Sequence, residues 1–312
     1  MRRTLLMYDK RHGFPPSAMT VLLLVGLAIT TLLVGCAESG TTSNALKGNL
    51  KISGSTALQP LVRTAAQSFM KLHPQTHISV DGGGSVIGLR DVTGKKSDIG
   101  NSDIYADPAL YPDPNMTDHI VCVIPFTMIT SLDVNIPSLT QDQIIKIFST
   151  GEINNWKQVG GPDLRIVPVV RPSTSGTRDT FRKYSLGGLD EKGTLLKTDS
   201  STTVLETVAK TPGAIGYLAL SVLDKTVHSI FINNQSPTQE NIASGRYVFW
   251  AYEHMYTLGD DNQLIATFLD FMLSGQVQQE AKKLRYIPID AMKLPRVDVS
   301  RKGSEDTHYE QI

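Results

Sequence analysis

From Leu50 to about residue 281, short apolar runs alternate with stretches whose apolar positions recur every three to four residues. That switching of period predicts α/β architecture. L50-K-I-S53 predicts a strand, followed by G54-S-T56 and a helical stripe of Leu58, Leu61, Val62, Ala65, Ala66, Phe69 and Leu72 that Pro74 closes. H77-I-S-V-D81 predicts a second strand, and G82-G-G-S85 a glycine turn into a short helix. Further strands are expected at residues 97–103, 121–130, 165–171, 214–218 and 247–257. Further helices are expected at 140–148 with Thr140 as its cap, after S173-T-S-G176, and at 204–210. One amphipathic helix is expected over 262–281, carried by Leu264, Ile265, Phe268, Leu269 and Met272.

The runs at 121–130 and 247–257 are each longer than one small sheet needs. Two such crossings predict a first lobe of residues 49–125 with 252–295 and a second of residues 126–251. A cleft between them could close on a ligand by a hinge. Residues 296–312 show no apolar periodicity and read as a polar tail.

The N-terminus follows a different logic. Arg2, Arg3, Lys10 and Arg11 precede an uncharged, almost wholly apolar run over 18–34, which ends at L33-V-G-C36. Basic, apolar and small-residue segments in that order predict a secretory signal over residues 1–35. Translation starting at Met7 or Met19 is also compatible with the sequence, although Met19 would remove the cations. The ending resembles a bacterial lipobox, and that resemblance implies lipidation of Cys36 and a membrane anchor there. The competing reading is one spanning helix, for which the run sits near the lower length limit. Against it, polar residues (E38-S-G-T-T-S-N44) follow at once, with no basic stop-transfer cluster. Residues 36–48 then form a flexible tether. A protein tethered outside the cytoplasmic membrane commonly captures solutes.

Charge narrows the choice of ligand-binding chemistry. Lys plus Arg and Asp plus Glu are both 30, and residues 1–35 hold four of the cations and one of the anions, leaving 26 against 29. No basic field attracts nucleic acid. With two cysteines, of which Cys122 sits in an apolar run, a disulfide framework is excluded as the basis of the fold.

Four polar tips follow apolar strands: G54-S-T56, G82-G-G-S85 with Gly88, N101-S-D103 and R171-P-S-T-S-G-T177. Three lead into helices, whose N-termini offer free N–H groups and a positive dipole end. Such tips meeting in a cleft could replace an oxyanion's hydration shell with neutral dipoles. Taken singly, each residue is ordinary. Ser55, Thr56, Ser85 and Thr177 are more often plain caps, and Asp103 is more often a turn residue. Their co-occurrence at strand C-termini, where open α/β sheets bind ligands, is what makes them a candidate site.

These motifs, with Phe181, E152-I-N-N-W156, G213-A-I-G-Y217 and H254-M-Y-T257, stand in the order seen in phosphate-binding proteins of ABC transporters, and residues 48–290 resemble that family. The resemblance implies the two-lobed type II periplasmic-binding-protein fold with two hinge crossover strands. It implies no catalysis and no cofactor, a monomeric chain outside the cytoplasmic membrane, and an ABC permease as partner. Position by position, it implies that Thr56 and the backbone at Ala57 face phosphate from the first lobe. Ser85 would donate, Asp103 would accept a ligand proton and Arg171 would supply positive charge. Ser175, Gly176 and Thr177 would donate from a helix start, with Ser55 and Ser102 as adjacent candidates. Some members carry an aromatic residue where Ala57 stands, which bears on that contact alone.

Other classes find less support. G-x-S-x-G, H-E-x-x-H and a G-K-[ST] phosphate loop are all missing, so the common hydrolase, metalloprotease and nucleotide motifs are not the basis of function. Binding of molybdate, tungstate or sulfate is a rival that Asp103 opposes, since a proton acceptor repels an unprotonated anion. A phosphate-sensing lipoprotein without a transport role is the other alternative.

Overall fold

The computed structural model describes residues 46–195, 199–259 and 262–292. The expected signal segment over residues 1–35, Cys36, most of the expected tether and residues 296–312 lie outside them.

Strand β1 (Lys47–Gly54) lies between β2 (Gln75–Asp81) and β3 (Ile99–Ser102), parallel to both. Helix α1 (Gln59–Leu72) connects β1 to β2, and α2 (Ser85–Thr93) connects β2 to β3. Parallel neighbours require such crossovers. Helix α1 buries Leu61, Val62, Ala65, Ala66 and Phe69, the positions its 3.6-residue period selects. Leu72, at the end of that stripe, is left exposed.

Strand β4 (Met116–Thr130) is the longest, and it changes partners midway. Its first part, Met116 to Pro125, pairs antiparallel with β10 (Trp250–Leu258), which also pairs with β3. Its second part, Phe126 to Thr130, pairs with β8 (Ala214–Ala219), and Met128 to Thr130 also pair with β9 (His228–Ile232). Beyond β8 lie β6 (Val167–Val170) and β7 (Thr194–Leu195), both parallel additions. The ladder therefore runs β2-β1-β3-β10-β4-β8-β6-β7. A short β5 (Ser138–Leu139) joins β9. The sequence pattern missed β5, β7 and β9. The first two have only two residues each, too short to show a period, and β9 mixes exposed and buried positions.

Two helices differ from expectation. The run over 262–281 is not one helix but α7 (Gln263–Met272) and α8 (Gly275–Lys283). Ser274 adopts extended geometry between them, and its hydroxyl caps Val277 N at 3.4 Å. The apolar stripe reads through the break because Val277 and Ala281 bury on the same core. Helix α3 (Gln141–Ile145) has the expected Thr140 cap, completed as a capping box by Gln143. It then widens into a π-helical turn over Lys146–Thr150, which Gly151 ends at φ +80°.

Helix α4 (Gly176–Ser185) and α5 (Ser201–Lys210) complete the frame of the site; α6 (Gln239–Ala243) is peripheral. The motif residue Phe181 of α4 stacks on Tyr217 of β8, with ring centroids 4.2 Å apart, and Phe148 and Phe249 close around them. Trp156, fully buried, donates to Gly213 O at 2.9 Å. These contacts fix where the N-terminus of α4 points. No helix among the described residues is long and apolar enough to cross a membrane.

Candidate functional site

Four strand ends and helix starts converge. Ser55 and Thr56 follow β1, Asp103 follows β3, Ser85 opens α2, and Arg171 follows β6, ahead of Ser175 at the cap of α4. Gly176 is where the two sides touch. A Cβ there would lie 2.2 Å from Ser85 Oγ and 2.9 Å from Asp103 Cβ, so only glycine permits this approach. Val86 N also donates to Thr174 O at 3.2 Å across the same junction.

Asp103 is the hub. Its Oδ1 accepts from Ser55 Oγ and its Oδ2 from Thr177 Oγ1 at 2.8 Å, while its own N–H donates to Ser85 Oγ at 2.8 Å. Burial pushes the carboxyl above its usual range. The Ser55 hydroxyl, the Arg171 guanidinium and the Thr177 hydroxyl act in the opposite direction, and Asp199 adds to the rise.

Arg171 is 1% exposed. Its Nε donates to Asp199 Oδ1 at 2.6 Å, and Nη2 also contacts that carboxylate. Nη2 donates to Thr56 Oγ1 at 2.9 Å, and Nη1 to Ser201 Oγ at 3.5 Å. A buried guanidinium needs such partners, because leaving it unpaired costs several kcal/mol, on the order of 3–5. Thr56 Oγ1 also lies 3.4 Å from Ser201 Oγ.

The sequence-predicted residues thus divide. Ser55, Thr56, Ser85, Asp103, Arg171, Gly176 and Thr177 form one buried cluster. Three other candidates make their side-chain or backbone hydrogen bonds outside that cluster or at its edge. Ser175 Oγ caps Arg178 N at 3.3 Å. Ser102 Oγ donates to Ile104 O at 2.7 Å and accepts Ile104 N at 3.1 Å, turned back into its own loop. Ala57 N donates to Ser55 Oγ at 3.1 Å, and its carbonyl accepts from Tyr286 Oη at 2.5 Å.

Sequence reasoning missed Asp199 and Ser201 and, beside the cluster, Glu253, whose buried carboxyl interacts with that of Asp103. Asp199 and Ser201 had a legible signal, since D199-S-S-T202 before α5 is one more polar tip leading into a helix. Glu253 offered only a charge inside an apolar strand. Three helix starts, at Ser85, Gly176 and Ser201, now surround one guanidinium and one hydroxyl-bonded carboxylate. That arrangement can hold a small anion through neutral dipoles, neutralise part of its charge and accept one proton from it. No group of three His, Cys, Asp or Glu side chains among the described residues could hold a metal ion.

Residues 39–276 match the family model of the PBP superfamily domain, and the chain belongs to that superfamily. Its relatives narrow the assignment. The phosphate-binding protein PstS of Bacillus subtilis (strain 168) is 40% identical over 289 residues, covering 88% of this chain and 96% of the relative. The phosphate-binding protein PstS of Borreliella burgdorferi is 25% identical, over 86% of this chain and 98% of its own. Among solved structures, a candidate phosphate ABC transporter substrate-binding protein from Clostridium perfringens, with bound phosphate, superposes at a TM-score of 0.70. It shares 26% identity and covers 78% of this chain and 100% of its own. Within the superfamily, the chain falls in the family of these PstS proteins.

Proposed function

We propose that this chain is an extracytoplasmic substrate-binding lipoprotein that captures inorganic phosphate and delivers it to an ABC permease. The observation that carries the reading is Asp103, a buried carboxylate held by two hydroxyls beside a buried arginine. Near neutral pH phosphate still carries a proton and sulfate carries none. A fixed carboxylate can accept a hydrogen bond from the first and only repels the second. The relatives are substrate-binding proteins, and this chain binds its ligand without transforming it.

In this reading the lobes are residues 49–125 with 252–295 and residues 126–251, and they close on the anion. The partner exchange along β4 supports a hinge near Pro125 and Phe126. Ser55, Thr56, Ser85 and Asp103 belong to the first lobe, Arg171, Gly176 and Thr177 to the second. The protein works as a monomer, exported by residues 1–35, anchored through Cys36 and tethered by residues 37–48.

Calorimetric titration of residues 37–312 with phosphate, sulfate and arsenate tests the reading. Phosphate and arsenate, which both carry a proton, release binding heat, and sulfate does not. Absence of heat and of thermal stabilisation with phosphate overturns it.

A further inference from the structure

Glu253 stands beside the site without belonging to any role described so far. Strand β10 runs antiparallel to β3, with Tyr256 opposite Gly100, Met255 opposite Asn101 and His254 opposite Ser102. Glu253 and Asp103 are the next residues beyond the last pair of that ladder, and their carboxyls interact side chain to side chain. On its other side Glu253 pairs with Cys122 of β4, and the register shifts between Glu253 and His254. The extra residue of that bulge is Val121 of β4. Glu253 is 0% exposed, and no hydroxyl, N–H or cation donates to either carboxyl oxygen.

The groups facing it are the Asp103 carboxyl, the Cys122 thiol and the Tyr286 phenol, none of them a cation. Two facing carboxyls in a protein interior do not both ionise; they share a proton. The surrounding donors decide which one keeps it. Asp103 receives the Ser55 and Thr177 hydroxyls and lies in the field of Arg171, whereas Glu253 receives no donor.

We propose that Glu253 is the protonated member of a carboxyl pair with Asp103, a specificity-setting residue that leaves Asp103 charged and free to accept the ligand's proton. The proposal rests on the phosphate reading above. The pair carries one negative charge while Glu253 holds its proton. Losing that proton places a second charge against the bound anion, so affinity falls at alkaline pH beyond what phosphate's own ionisation causes. Burial and the nearby Asp103 both push the Glu253 carboxyl well above its ordinary range, in keeping with a neutral acid. The value that governs binding belongs to the pair.

The test compares phosphate dissociation constants of the wild-type protein and Glu253→Gln across roughly pH 6 to pH 9.5. Near neutrality the two bind within a few-fold. Above the pair's upper titration the wild type weakens relative to the variant, by about tenfold per pH unit. A wild-type to variant ratio that stays constant with pH overturns the proposal. If Glu253→Gln does not fold, Glu253→Met fills the space without an ionisable group and is expected to give the same profile. Carbon-13 NMR of the wild-type carboxyls reads the pair without any variant. A protonated Glu253 at neutral pH supports the pair and an ionised one overturns it. Failure of the wild type to bind phosphate at pH 7 sinks the phosphate reading, while the NMR arm still reads the pair.

Discussion

Thr177 Oγ1 donates to Asp103 Oδ2 at 2.8 Å, joining residues 74 positions apart. One comes from the start of α4, the other from the end of β3. With Ser55 on the other oxygen, the carboxylate is oriented and keeps lone pairs for a ligand hydroxyl.

Asp103→Asn removes that acceptor and its charge. We expect phosphate affinity to fall and sulfate affinity to rise, narrowing the ratio about tenfold to a hundredfold, since an unmatched buried polar group costs about 1–3 kcal/mol. Competition calorimetry with both anions reads this directly. An unchanged ratio counts against Asp103 as the discriminator.

Arg171 and Asp199 are partners in the interior, so removing one strands the other. Arg171→Met should destabilise the fold by about 3–5 kcal/mol in urea denaturation. Adding Asp199→Asn should recover most of that loss. Phosphate binding should stay lost in both variants, because the guanidinium is gone. Recovery of binding in the double variant would show that Arg171 serves stability alone.

Gly176→Ala pushes a methyl group against Ser85 and Asp103. Its main cost falls on the meeting of the two sides, and phosphate affinity should drop by at least about tenfold, a cost of roughly 1.4 kcal/mol. Pairing it with Ser85→Ala removes the closest atom and should restore part of the affinity. Equal affinities for the wild type and Gly176→Ala would show that this close approach is not needed for binding.

Glu253 also links stability to pH in the phosphate-free protein. Below the ordinary carboxylate range, the folded and unfolded chains both hold its proton. Between that range and the raised folded value only the folded chain does. The unfolded chain binds fewer protons there, so this contribution to stability declines as pH rises. The stability of Glu253→Gln minus that of the wild type should therefore grow from roughly pH 5 to pH 8 in urea denaturation. A difference that stays flat would mean that Glu253 does not titrate with an elevated value.

Much of this protein was determined by its sequence alone. The period of the apolar positions specified α1, β1, β2, β4 and β8, because a helix face and a strand face repeat at different intervals. Turn chemistry marked the tips holding Ser55, Ser85, Asp103 and Thr177, because glycine, hydroxyls and carboxylates are what strand ends and helix caps use. Only the tertiary structure decided which tips meet and what each side chain does there. Ser102 and Asp103 are neighbours in one motif, yet one turns back to Ile104 and the other takes Thr177. The break at Ser274 is invisible in a stripe that continues through it. Asp199 and Glu253 come to the site through tertiary contacts, Asp199 with Arg171 and Glu253 with the Asp103 carboxyl. Periodicity and capping are local properties that a chain carries with it, whereas pairing across 74 residues exists only once the packed sheet has brought the ends together.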